Sequence, residues 1–150
     1  MSDDLAADPR ALPAAMTIRR PGAAIARAPS GIASAPFWAE MLFDSARDGE
    51  NAIMRAHLDP GVMTHWHSHP RGQLLYVLSG VGLTRCDGGP LEELRGGDCV
   101  WFAPNERHWH GAAPTSPFVY ISIQGVHEGA MVHWLEPVAQ ERAGYDRHAI

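Results

Sequence analysis

From residue 51 onward the chain is a succession of short apolar, β-rich runs broken by turn residues. The runs occupy 52–58, 62–69, 73–79, 81–86, 91–94, 99–103, 107–111, 118–124 and 131–135. Between them stand Asp59-Pro60-Gly61, Pro70-Arg71-Gly72, Ser79-Gly80, Asp87-Gly88-Gly89-Pro90, Gly96-Gly97-Asp98 and Pro114-Thr115-Ser116-Pro117, residues that favour turn dihedrals or cannot continue a ladder. Many short strands at such spacing predict an all-β, antiparallel sandwich or barrel. A further strand is expected at 37–43 and a short one near Ile18, with at most a helical turn around 137–142. Residues 1–35, rich in alanine and proline and weakly periodic, predict an extended arm, in part disordered. The polar stretch 139–150 reads as a loose tail.

Two runs alternate in a way that bears on chemistry. In 118–124, Tyr120, Ser122 and Gln124 share one strand face, and Val119, Ile121 and Ile123 the other. In 53–58, Ile53, Arg55 and His57 oppose Met54, Ala56 and Leu58. One face of each strand lines a barrel interior, and interior polar residues beside histidines are what a reactive cavity needs. The opposite apolar faces call for a second sheet or a second subunit to cover them.

Composition narrows the classes. A chain of 150 residues is one domain, long enough for a core without disulfides. The net charge of -5 is mild and scattered, which argues against a nucleic-acid surface. All 12 basic residues are arginine, so Schiff-base and general-base lysine chemistry is excluded. Cys86 and Cys99 lack CxxC spacing and read as buried free thiols in a reducing compartment. No apolar run is long enough to cross a bilayer, and Arg19-Arg20 is followed by Pro21, Arg27 and Pro29 instead of an apolar signal segment. A soluble, cytoplasmic protein is the expectation.

The histidines carry the chemistry. His67 and His69, at i and i+2, present both rings on one strand face, and Gln73 and His108 can join them from neighbouring strands. Three imidazoles leave coordination positions open for water or substrate, and this donor set accommodates manganese, iron, cobalt, nickel, copper or zinc. The glutamine changes the electrostatics: with an amide in place of a carboxylate, a divalent ion keeps a charge of about +2 instead of about +1. It is then the stronger Lewis acid and the more receptive to anions. His110 shares a strand face with His108, and beside a cation its pKa should fall into the range of a base at neutral pH. Arg55 is a candidate clamp for an anionic substrate, His57 a weaker catalytic candidate on the same face, and His65 a residue of the cavity mouth or its support.

The segment running from Gly61 through His67, His69 and Gln73 to Gly80 resembles the first cupin motif, G-x5-H-x-H-x3-4-E-x6-G, with glutamine in place of the glutamate. Gly97 to His108 resembles the second, G-x5-P-x-G-x2-H-x3-N. Its proline is displaced by one place, Asn105 stands at the second glycine and Ala112 at the final asparagine. The resemblance covers about residues 36 to 136. It implies a small antiparallel cupin β-barrel of jelly-roll type over 36–138, with His67, His69, Gln73 and His108 as metal ligands. The stretches 66–73, 101–102 and 106–115 are further similar to small bacterial cupins of the RmlC-like superfamily that include manganese-dependent hydroxynitrile lyases. That similarity implies a lyase acting on a small carbonyl compound or cyanohydrin, with one divalent transition metal as Lewis acid. Manganese is favoured, with iron, zinc or nickel as alternatives. His110 and Gln124 match cavity residues of those lyases, while Tyr120 stands where they carry a further histidine. The catalytic or substrate-orienting set is therefore expected to be His110, Tyr120, Gln124 and His57. An iron-dependent dioxygenase and a non-catalytic metal- or ligand-binding cupin stay open as alternatives. The expected partners are a small substrate, anionic in some form, and a second copy in a homodimer paired through sheet edges or the N-terminal arm.

Overall fold

In the computed structural model of the protein, which describes residues 10–139, the alternating runs become ten strands, every pairing antiparallel. They are β1 (Ile25–Arg27), β2 (Trp38–Phe43), β3 (Asn51–Leu58), β4 (His67–Ser68), β5 (Gln73–Cys86), β6 (Glu92–Arg95), β7 (Cys99–Phe102), β8 (His108–Ala112), β9 (Phe118–Gly125) and β10 (His133–Trp134). No helix occurs among the described residues, so none is long and apolar enough to cross a membrane. The strand order is β1-β2-β3-β9-β5-β8-β4-β10, with β6 and β7 also paired to β5.

The pivot is β5. Its first half pairs with β9 and β7, and its second half with β6 and β8. The sequence predicts two runs separated by Ser79-Gly80, yet the strand bends there without ending. Gly80 has φ +79°, and a Cβ at that position would lie 1.8 Å from the Pro117 carbonyl oxygen. Only a residue without a side chain lets the strand turn while β9 enters so close. One strand serving both parts of the sheet curls it into a barrel.

Other expectations shift. Ile18 lies in no strand; the arm forms β1 instead, which pairs with β2. The run 62–69 contributes only His67–Ser68 as strand, its earlier part being held by bridges from Met63 to Gly111 and from Thr64 to Ala33. Residues 137–139 are not helical, and the rest of that turn, the tail from 140 and residues 1–9 of the arm lie outside the described residues. Both cysteines are free, but Cys86 is half-buried and Cys99 exposed, because Cys99 takes the outward position on β7.

Register decides which faces point inward. Ala56 pairs with Tyr120 and His57 with Val119. Ala52, Ala56 and Leu58 are accordingly buried with Phe118, Tyr120, Ser122 and Gln124. The main core adds Phe37, Leu75, Val77 and Phe102, and burying each such large side chain contributes about 1.5–3 kcal/mol. Beyond β8 lies a second cluster of Met63, Trp66, Leu83, Trp109 and Ala113. All of β8 is buried between the two clusters, with Trp109 in the second, while His108 stacks on Phe102 and His110 bonds Tyr120 of the first.

Candidate metal centre

The pairing of His67 with His108 joins β4 to β8 and brings their rings to a centroid separation of 4.3 Å. His69 follows on the same side, with ring centroids 5.1 Å from His67 and 5.6 Å from His108. Each of the three rings is tied through Nδ1 to a backbone carbonyl: His67 to His65 at 2.8 Å, His69 to Met131 at 2.7 Å, and His108 to Glu106 at 2.8 Å. A carbonyl only accepts, so Nδ1 carries the proton and Nε2 keeps a lone pair. Anchoring one ring nitrogen on a carbonyl is how a protein orients an imidazole toward a metal.

Gln73, at the start of β5, completes the cluster. Its Oε1 lies 3.0 Å from Nε2 of His108, so two acceptors face each other. Nε2 of His69 is buried with no hydrogen-bond partner among the described residues. Protonation does not relieve this, because burial lowers His69 and His108 to about 4 and His67 well below its ordinary value. Neutral imidazole lone pairs and an amide oxygen buried side by side are costly without a cation to share them. This donor set fits a divalent transition metal.

His110 differs. Compactness groups its ligand atom, and not that of His69, with those of His67 and His108, all within 4.8 Å of one another. Its anchoring sets it apart: among the described residues no carbonyl holds the ring and buried Nδ1 has no partner, while Nε2 bonds the Tyr120 hydroxyl at 2.9 Å. The backbone N–H of His110 also donates to Thr64 Oγ1 at 3.2 Å. Burial, then the neighbouring imidazoles, lowers its pKa well below the usual value, and burial raises that of the Tyr120 phenol. Near neutral pH both are uncharged.

The cluster opens into a cavity of about 370 Å³. Its walls are largely apolar: Phe37, Met41, Met54 and Tyr120 from the barrel, Ala24, Ala26 and Ile32 from the arm, and Met131, Val132 and Trp134 from the last strand and its approach. The Trp134 ring sits 4.6 Å from that of His67. The arm, expected as a lead-in, is thus part of the cavity wall.

Not every candidate joins this site. His57 and Arg55 point away from it, because the inward face of β3 is the one carrying Ala52, Met54 and Ala56. His57 is exposed in an outer depression with Trp38 and Leu78, and Arg55 is ion-paired with Glu40, whose carboxyl that partner holds below its usual pKa. Gln124 lines the cavity, but Oε1 accepts the Ser122 hydroxyl and Nε2 donates to the Ala52 carbonyl at 3.2 Å. His65 serves through its carbonyl. Spacing does not single out Ser122, Thr64, the Met131 carbonyl or Trp134; only the inward face of β9 flags Ser122 beforehand.

Residues 54–124 match the family described as the cupin domain. A cupin-like protein from Thermotoga maritima superposes with a TM-score of 0.70 at 33% identity, over 78% of this chain and 89% of that one. The (R)-mandelonitrile lyase of Granulicella tundricola is 48% identical over 84 residues, a match spanning 56% of this chain and 64% of that protein's length. The polyketide cyclase RemF from Streptomyces resistomycificus shares the fold, with a TM-score of 0.66 at 17% identity over 89% of this chain and 95% of that one. Fold and site together define a small antiparallel β-barrel with a buried histidine cluster able to hold a metal ion. The chain belongs to the cupin family.

Proposed function

We propose that the protein is a metal-dependent lyase acting on a small carbonyl compound or its cyanohydrin. The carrying observation is the junction of three carbonyl-anchored imidazoles with an apolar cavity that also holds the His110–Tyr120 pair. Similarity to a mandelonitrile lyase supports the same reading. Nε2 of His67, His69 and His108 and Oε1 of Gln73 would hold the divalent ion, manganese favoured, which when bound supplies Lewis acidity for an anionic fragment.

The chain's own residues do the rest. The apolar wall of Phe37, Met41, Met54 and Val132 takes the carbon skeleton and excludes water. His110, neutral at working pH, takes the hydroxyl proton of the cyanohydrin. The bond to the nitrile carbon then breaks, its electron pair leaving with cyanide as the carbonyl forms. The proton returns from His110 to cyanide, giving an aldehyde or ketone and hydrogen cyanide. Tyr120 holds the His110 ring through Nε2 and leaves Nδ1 for the substrate.

The test is turnover of mandelonitrile and of aliphatic cyanohydrins by manganese-loaded protein. Cyanide release that a chelator abolishes is expected; inactivity on every cyanohydrin at full metal occupancy would sink the reading. A homodimer is proposed alongside, covering the outward face that exposes Trp38, Tyr76, Leu78 and Trp101. Light scattering at micromolar concentration checks it, a monomer being the contrary result.

A further inference from the structure

The amide of Gln73 faces a choice that its own chemistry does not settle. Rotated by half a turn, it would present N–H to Nε2 of His108 and gain a hydrogen bond where it now sets acceptor against acceptor. Something must oppose that rotation. The opposing groups lie on β9 and β3, beside Gln73 in the sheet: Gln73 pairs with Gln124, and Gln124 with Ala52.

The chain of bonds begins at a fixed point. The Ala52 carbonyl accepts from Gln124 Nε2 at 3.2 Å, which turns Gln124 Oε1 toward Ser122. The Ser122 hydroxyl donates its one proton to that oxygen. Toward Gln73, Ser122 therefore offers only a lone pair. Gln73 Nε2 donates to it at 2.9 Å and lies 3.4 Å from Gln124 Oε1, and its Oε1 is left facing His108. Ser122 is fully buried, and Gln73 and Gln124 nearly so, so water does not substitute for a missing partner.

We infer that Ser122, held by Gln124, is a positioning residue that makes position 73 present an amide oxygen to the histidine cluster and disfavours a carboxylate there. The inference rests on the metal reading above. A glutamate at 73 would meet the lone pairs of Ser122 and of Gln124 Oε1, an unpaired charge against two acceptors. Gln124 is thereby spent on the protein and not on the substrate. The relay gives a physical reason why this chain carries glutamine at the motif's glutamate position.

The experiment measures manganese affinity by competition with a chelator, beside the unfolding temperature of the metal-free protein. Ser122→Ala should weaken manganese binding about tenfold or more, the range seen when a group supporting a ligand is removed. Ser122→Thr, which keeps the hydroxyl, should restore it. Unchanged affinity in Ser122→Ala, or a loss that Ser122→Thr does not recover, overturns the inference. Should Ser122→Ala not fold, Gln124→Met frees the same serine proton. Gln73→Glu combined with Gln124→Met should then bind manganese more tightly than Gln73→Glu alone, and absence of that gain also overturns it. A wild-type protein that binds neither manganese, iron, zinc nor nickel overturns the metal reading itself. Binding by wild type with Ser122→Ala unaffected removes the relay only.

Discussion

At the scale of single residues, the candidate centre is distinguished less by which histidines lie close than by what holds their far nitrogens. Carbonyls of His65, Met131 and Glu106 fix the rings of His67, His69 and His108, whereas His110 leans on a phenol. His69→Ala should therefore lower manganese affinity by more than about 100-fold, beyond the loss typical of a supporting group. His65→Ala should change it little, because its carbonyl survives the substitution; chelator competition on both variants checks the contrast. For the pair proposed to move the proton, Tyr120→Phe leaves the histidine cluster in place but removes the bond to His110. Turnover of cyanohydrin should fall by about 100-fold, the low end for displaced acid–base catalysis, with metal content unchanged by elemental analysis. The set His67, His69, Gln73 and His108 is legible in the sequence through motif spacing, whereas a strand's period of two speaks only to the His67–His69 pair, and β4 itself ends at Ser68. The exclusion of His57 is not legible, since alternation says that β3 has two faces without saying which is inward. Asn105 is a third case: at φ +64° it occupies the left-handed conformation that the motif's glycine would supply, and its N–H bonds the His69 carbonyl at 2.8 Å. Asparagine tolerates that region, so the departure from the motif preserves the loop.

Among the elements, β5 explains both what periodicity reveals and what it hides. Its two halves are legible as separate runs because Ser79-Gly80 looks like a turn. That they form one bent strand depends on the approach of Pro117, a contact distant in sequence that no local pattern contains. Gly80→Ala should lower stability by roughly 2–5 kcal/mol, combining left-handed strain with a collision against rigid backbone. Gly88, at φ +76° with nothing within 4 Å of the place a methyl would take, provides the control. Gly88→Ala incurs the strain alone, on the order of 1 kcal/mol. Urea denaturation of the two variants checks the difference, and equal losses would mean that the Pro117 contact does not govern the bend. β4 is the converse case. Its run reads as eight residues, but bonds from Thr64 N–H to the His110 carbonyl and from Trp66 N–H to that of Glu136 pull most of it out of a regular ladder. The two residues left as strand include His67, so the pairing with His108 survives where it matters for the site.

For the molecule as a whole, a cluster of neutral imidazoles inside the barrel links stability to pH. His69 and His108 are lowered to about 4 from an ordinary 6.5, chiefly by burial, and burial likewise holds His67 and His110 well below their ordinary value. A lowered folded-state pKa means that the unfolded chain binds more protons between the two values. The stability from these groups is thus complete above about pH 6.5 and is lost as pH falls toward 4. Each of the two assigned values corresponds to roughly 3–4 kcal/mol at most, on the order of 1.4 per pKa unit. The losses reinforce one another, because each proton placed in the cluster raises the cost of the next. The metal-free protein should therefore lose unfolding temperature steeply between pH 6.5 and 4. Carboxylates such as Glu40, lowered by Arg55, add a loss at more acidic pH. A variant carrying His69→Gln and His108→Gln isolates the histidine share: its stability should vary less over that interval, whatever its level at neutral pH. Parallel pH profiles for variant and wild type would show that the cluster does not set the acid limit. A saturating divalent ion supplies the discriminating arm, since on the proposed ligation it competes with protons for the same Nε2 lone pairs. It should shift the wild-type transition to lower pH and leave that of the double variant where it is.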